Sequence, residues 1–299
     1  MNQFYRSINL SKQAFHQHLN RYLLQMDEQQ QLLPMIAQVR RDHPQLSSRM
    51  IYMMMQPQSM GRDRFERFCF NHGFKLERTR SFRRTTNSLG VTRFNNLLTG
   101  FALTSINQVF VSDITYYQIE QRFFYLTFIM DLYSRFIVGY SASSNLLTEN
   151  TTMPALQMAI THRTIPDELI LHSDGGGQYY SKDFLALTRK YLIRNSMCEI
   201  VYENAHAERV NGTIKNDYLI HYAPNDLSQL KKMLRKAVYM YNNHRPHTAL
   251  SALSPAQFER LLTEISVTNK RKKEAKKEND NNYNSKFTIP SKTVNAIQA

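Results

Sequence analysis

The first hundred residues carry apolar positions at helical spacing. In SINLSKQAFHQHL, Ser11 precedes an apolar-basic run and can cap it, so residues 1–27 are expected to form a short helical hairpin. A second helical unit is expected over 28–73. Leu32, Leu33, Ile36 and Val39 recur with helical period. After Pro44, SSRMIYMMM reads as a helix capped by Ser47 or Ser48, QPQSMG as a turn, and RDRFERFCFNHG as a helix ended by Gly73. In that last helix Phe65, Phe68 and Cys69 share one face, while Arg64 and Arg67 point elsewhere. Helix, turn and basic helix suggest a helix-turn-helix lying on DNA, with Arg62, Arg64 and Arg67 as phosphate contacts; the plain alternative is a small bundle with a charged exterior. Residues 74–104 lack strong periodicity and contain KLERTRSFRRTTNSLGVTR, a basic linker in which Arg83 and Arg84 could track a phosphate backbone.

From residue 108 the period shortens to that of strands. QVFVSDITYYQIE, RFFYLTFIMDL and RFIVGYSAS are β-rich runs joined by short polar turns, the pattern of an antiparallel meander. TENTTMPALQMAITHR then reads as a helix, ELILHSD as a buried strand, SKDFLALTRKYL as a helix and NSMCEI as a short strand. Helices are expected from Asn204 to about Ile220, over LSQLKKMLRKAVYMYNN, and over SPAQFERLLTEI, where Ser254 is the cap and Pro255 the first position. The expected fold is α/β: a ribonuclease-H-like mixed five-stranded sheet with flanking helices over 105–266, preceded by the all-α region 1–73. A charged polar tail from 267, TNKRKKEAKKENDNNYN, is expected to lack a fold of its own.

Composition narrows the function. Hydrophobic residues make up 42% of the 299, enough for a packed core. There is no apolar run long enough for a membrane span and no apolar stretch of a signal peptide at the start, so a cytoplasmic protein is expected. Cys69 and Cys198 are too far apart in sequence to suggest a metal motif. The formal charge of +14 is uneven: residues 1–100 carry 15 Lys/Arg against 6 Asp/Glu, residues 101–266 carry 15 against 15, and residues 267–299 carry 8 against 3. Basic flanks around a neutral middle attract a polyanion through counterion release.

Three carboxylates stand out. Asp113 lies mid-strand in VFVSDITYY, where an ionised carboxylate is costly without a cation or hydrogen-bond partner. Asp174 ends the strand in ELILHSDGGGQYYS; Gly175 and Gly176 make a sharp turn there and let a phosphate approach. Glu208 lies early on a helix and shares one face with Asn204 and Lys215, with Glu203 and Glu199 as nearby competitors. In a ribonuclease-H-like order the fourth strand ends beside the middle of the first, which would bring Asp174 to Asp113. Such hard oxygen ligands suit Mg²⁺ or Mn²⁺, and two ions roughly 4 Å apart can serve an in-line displacement at phosphorus.

SDITY, HSDGGGQYYS, ENAHAERVNGTIKNDYL and YNNHRPHTALSALSPAQF, taken in this order, resemble the catalytic core of insertion-sequence transposases of the IS-three group, over about residues 106–260. A weaker resemblance covers 30–95. The resemblance implies a metal-dependent enzyme that cleaves DNA 3′ ends and transfers strands, acting on the terminal inverted repeats of its element and on target DNA. It also implies a homo-oligomer on DNA, a bacterial nucleoid setting, and fusion with or help from an upstream-frame helix-turn-helix protein. Asp113, Asp174 and Glu208 match the metal-binding triad, Asn204 a flanking Asn, Lys215 a lysine that touches DNA, and Arg245, Pro246 and His247 a run after the core, of which Arg245 and His247 are expected to contact DNA. Asp131 and Arg135 match family positions read as structural or DNA-positioning. The interval of 33 residues between Asp174 and Glu208 (208 − 174 − 1) is two shorter than usual, Glu203 replaces a family Asp, Phe110 replaces a family Trp, and Gly175 stands where a basic residue is common. A nuclease that hydrolyses without joining, or a DNA-binding repressor with structural carboxylates, are the alternatives. A retroviral-type zinc-binding partner domain is excluded by the isolated cysteines.

Overall fold

The computed structural model describes residues 11–76, 94–198 and 205–286. The chain divides into two compact units, residues 1–256 and 257–299. Helix α1, Lys12–Asp42, starts as expected at Ser11, whose Oγ accepts from the Ala14 N–H at 3.1 Å. It does not turn back near residue 27: one helix of 31 residues replaces the described part of the expected hairpin. The stretch QMDEQQQLL has strong helix formers and no Gly, and Pro34 removes only one intrahelical N–H. Helix α2, Ser48–Met55, is capped by Ser47, and helix α3, Arg62–Asn71, is followed by Gly73 at φ +77°. Leu32, Ile36, Ile51, Phe65, Phe68 and Cys69 form the small core shared by these three helices.

Of the expected linker, residues 74–76 and 94–104 are among the described residues. Residues 77–93, with Arg83 and Arg84, lie outside the described residues. Its far end is part of the fold: the Leu97 N–H donates to Ser196 Oγ at 2.9 Å, and Leu97, Leu98 and Leu103 pack on the main core. Leucines in an otherwise polar stretch have apolar surface to bury, and the sheet edge supplies a place.

The meander and crossovers form as the alternation dictates. Strands β1 (Val109–Ile119), β2 (Arg122–Asp131) and β3 (Ile137–Ser143) are antiparallel neighbours; β4 (Ile170–Ser173) and β5 (Arg194–Met197) run parallel to β1. The sheet order is β3-β2-β1-β4-β5, the ribonuclease-H-like arrangement. Helices α4 (Thr152–His162) and α5 (Lys182–Lys190) cover one face, with Phe110, Ile129, Leu156 and Phe184 in the core between. The other face is covered by α6 (Ala205–Gly212), a π-helical segment Thr213–Leu219 leading into α7 (Ile220–Tyr222), and α8 (Leu227–Asn243). The sequence reading of one helix from 204 to 220 thus holds over its described part, except that the π segment interrupts its hydrogen bonding. Gly139 lets α4 lie against β3, since a Cβ there would sit 2.1 Å from the Ala155 carbonyl oxygen.

The β2–β3 corner is built on Asp131, which is fully buried. Its Oδ1 accepts the Tyr133 and Ser134 N–H groups at 2.9 Å each, and its Oδ2 the Asn107 N–H at 2.6 Å. Asp131 is therefore a structural residue, as expected. Helix α9, Pro255–Lys286, begins at the expected proline but passes through 267, where the sequence suggested an unfolded tail. Its Lys- and Glu-rich run is itself good helix-forming sequence.

Candidate active site

Parallel pairing of β1 with β4 matches Ser112 with Ser173, so the next residue on each strand is an aspartate. Asp113 continues along β1, and Asp174 is the first residue past β4. The two carboxylates are thereby set at neighbouring strands by register alone. Asp113 is half-buried. Its Oδ1 accepts from the Ile114 N–H at 2.9 Å, and its Oδ2 from Asn211 Nδ2 at 2.6 Å. Asp174 is exposed, and its Oδ1 accepts from the Gly176 N–H at 3.1 Å. Gly175 has φ +77°, and a Cβ there would run into the end of Met197 and the Tyr180 hydroxyl. Glycine is needed at this turn, both for its left-handed backbone and for space.

Helix α6 buries Ala207 and Val210 against the sheet, which turns Glu208 outward at the site. One turn on, Asn211 is buried and reaches Asp113. Beyond it Lys215 does not reach outward: its Nζ donates to Thr115 Oγ1 at 2.7 Å and to the Tyr116 carbonyl at 3.3 Å, beside Asp113 on β1. Below Asp113, Ser112 Oγ donates to the Phe128 carbonyl and shares a 2.8 Å hydrogen bond with the buried Tyr179 hydroxyl.

The electrostatics join the three acids. Burial, and then the charges of Asp174 and Glu208, push the Asp113 carboxyl up to about 8; the Ile114 N–H and Lys215 oppose this. Like charges that raise one another's cost of ionisation are what a divalent cation would relieve, so the donor set fits a hard, oxygen-preferring ion. The acids do not close into a cage, however: among the described residues no group of three His, Cys, Asp or Glu side chains could hold a metal ion as placed.

The other expected residues scatter. Arg62, Arg64 and Arg67 are exposed on α3, and Arg62 pairs with Asp63 at 2.8 Å. Arg245, expected on DNA, turns inward: it pairs with Asp217 at 2.7 Å and lies over the Tyr218 ring. His247 likewise faces the core, its ring 4.8 Å from that of Tyr241, and burial with Arg245 and Arg135 lowers it to about 3. Asn204, Glu203 and Glu199 lie outside the described residues. Asn211 was missed by the sequence reading; its signal was a place three residues after Glu208 on one helix face.

A five-stranded mixed sheet in the order β3-β2-β1-β4-β5, with helices on both faces, is the fold of an integrase-type core. Comparison with known proteins agrees. The Integrase core domain family matches residues 104–201, and a second Integrase core domain family matches 200–255. The insertion element IS600 31 kDa protein of Shigella sonnei is 37% identical over 205 residues, 67% of this chain and 75% of that protein. Transposase InsF for insertion sequence IS3A of Escherichia coli is 33% identical over 172 residues, 55% of this chain and 58% of that one. The HTLV-2 integrase catalytic core domain, solved in complex with magnesium, matches at 23% identity and a TM-score of 0.41, covering 51% of this chain and 94% of that one. The chain belongs to the IS3-family insertion-sequence transposases, and its function is of the transposase and integrase kind.

Proposed function

We propose that the chain cleaves DNA at the 3′ ends of its insertion element and joins those ends to a second phosphodiester, using Asp113, Asp174 and Glu208 as catalytic carboxylates. The observation that carries this reading is the register of β1 and β4, which puts the two aspartates on adjacent strands, with Asn211 bonded to Asp113 and the charge of Glu208 felt there. The three acids would hold Mg²⁺ or Mn²⁺, two ions on this reading, which when bound activate an attacking oxygen and stabilise a leaving one. Asn211 fixes the Asp113 carboxylate and Lys215 supplies positive charge beside it. Water is the nucleophile for end cleavage, and the freed 3′-hydroxyl for joining.

The terminal inverted repeats and target DNA are the substrates. The exposed arginines of α3, with Arg83 and Arg84, would contact phosphates while the helical region reads the ends. Two ends must meet, so a homo-oligomer on DNA is expected, alone or with an upstream-frame helix-turn-helix protein. Among the described residues no helix is long and apolar enough to cross a membrane. A nucleoid-associated, cytoplasmic site of action follows from a DNA substrate.

Labelled end-sequence DNA incubated with the protein and Mg²⁺ tests the proposal. Nicked and joined products are expected, and Asp174→Ala should abolish both while leaving DNA binding. Cleavage that persists in Asp174→Ala overturns the carboxylate assignment; nicking with no joined product leaves a plain nuclease.

A further inference from the structure

A groove of about 450 Å³ opens at the free edge of β3, between α4 and the first half of α8. Lys231 and Arg235, one turn apart on α8, stand on one wall; Ser143, Ser144, Asn145 and Asn150 form the other; no acidic residue lines it. Lys231 and Arg235 are exposed, and among the described residues neither forms an ion pair. Lys232 and Lys236 are exposed beside them, so this part of α8 carries a run of four cations in a catalytic core whose net charge is zero. Concentrated positive charge around a cleft of hydroxyls and amides suits an oxyanion.

The groove also has a fixed relation to the catalytic centre. Cross-strand pairing runs Asp113–Phe128–Tyr140, and Tyr140 lines the groove. Two strand spacings place it about 10 Å from Asp113 across the sheet, with buried Phe128 between them, so the surface path to the site runs round the rim. The loop that leaves the groove is tied to the loop after Asp174: Gln178 Nε2 donates to the Leu146 carbonyl at 3.0 Å, and Thr148 Oγ1 to the Gln178 carbonyl at 3.4 Å. One rim thus joins the groove to the glycine turn at the active site.

We infer that this groove holds a backbone phosphate of the duplex engaged at the catalytic carboxylates, roughly three base pairs from the reacting bond at 3.4 Å per nucleotide. Lys231 and Arg235 clamp the phosphate beside the Asn145 amide, whose oxygen is held by Asn150 Nδ2 at 3.2 Å. The inference rests on the reading of the chain as a DNA-acting enzyme and adds a second anchor to it. A second copy of the chain is the poorer occupant, because a two-fold contact here would face cation against cation.

The test is the salt dependence of binding to labelled end DNA, with the full chain and Ca²⁺ in place of Mg²⁺. One phosphate neutralised in the groove contributes about 0.9 to the slope of log K against log salt. Lys231→Ala/Arg235→Ala is expected to flatten the slope by about that amount and to reduce joining in Mg²⁺, with unchanged thermal melting. Arg189→Ala/Lys190→Ala, an equal charge change on exposed positions of α5, should leave the slope near wild type. Equal slopes for the two double variants overturn the groove assignment, as does a loss of self-association in sedimentation with the slope unchanged. Wild-type protein with no salt-dependent DNA binding would instead sink the DNA-acting reading, and the groove with it.

Discussion

His43 Nδ1 lies 2.8 Å from the Tyr218 hydroxyl, although 175 positions separate them in sequence. His43 ends α1, and Tyr218 is fully buried in the π-helical segment that follows α6. The Arg245 guanidinium lies 5.9 Å from the centre of the Tyr218 ring and pairs with Asp217 next to it. A helix of the N-terminal region is therefore fastened to the helix that presents Glu208, by polar groups inside the core.

That contact makes stability acid-sensitive. Burial, and then the charge of Arg245, lower His43 to about 4, with Asp42 opposing; His247 is lowered to about 3. A histidine held neutral in the fold takes up protons more readily when unfolded. Its contribution is complete above the unfolded value near 6.5 and is lost as pH falls from there toward 4. Melting temperature should drop between pH 7.5 and pH 5, and His43→Gln should start lower but fall less steeply. Equal pH slopes for the two proteins would refute this.

Tyr218→Phe removes the hydroxyl and leaves a buried ring nitrogen without its partner. A loss of about 1–3 kcal/mol is expected in denaturant unfolding. Asp217→Asn, which leaves the half-buried Arg245 charge unpaired, should cost about 3 kcal/mol. The two losses should fall short of additive when combined, because both residues serve Arg245.

Asn211→Ala should separate chemistry from binding. Its amide holds the Asp113 carboxylate at 2.6 Å, and a hydrogen bond to a charged group contributes about 1.5–3 kcal/mol. Cleavage is expected to slow by roughly 10- to 100-fold. DNA affinity measured without divalent ions should stay near wild type; a matching loss of affinity would count against the positioning role.

Gly139→Ala tests the seat of α4. The added methyl would lie 2.1 Å from a backbone oxygen that no side-chain rotation can move. Insoluble protein, or a melting temperature lowered by many degrees, is expected. Near-normal melting would show that α4 does not pack this closely on β3.

Alternation and helical period revealed the sheet and its helices, because a half-buried strand and an amphipathic helix print their geometry directly on the sequence. The meander ends within a few residues of where Asp131 and Ser143 stop it. Long-range partnerships left no such print. Arg245 and His247 looked like surface cations because a run of Arg, Pro and His carries no burial signal, yet Asp217, Tyr218 and Tyr241 take them inside. Lys215 shares a helix face with Glu208 in the sequence, but only the fold shows that its ammonium is spent on Thr115 and the Tyr116 carbonyl. The unbroken α1 was missed because the polar run around residue 27, which carries no apolar period, reads as a break although its residues are good helix formers.

The π-helical segment Thr213–Leu219 has a consequence for how this chain can change over generations. A π turn stores extra chain length within a helix that continues on either side. Loss of a single codon there could be absorbed by tightening to ordinary helical turns. That would rotate Asp217 and Tyr218 away from Arg245 and His43 while Glu208 and Asn211 kept their place. Natural or engineered variants shortened by one residue in this segment are thus predicted to keep the catalytic groups and to lose the fastening of the N-terminal helices.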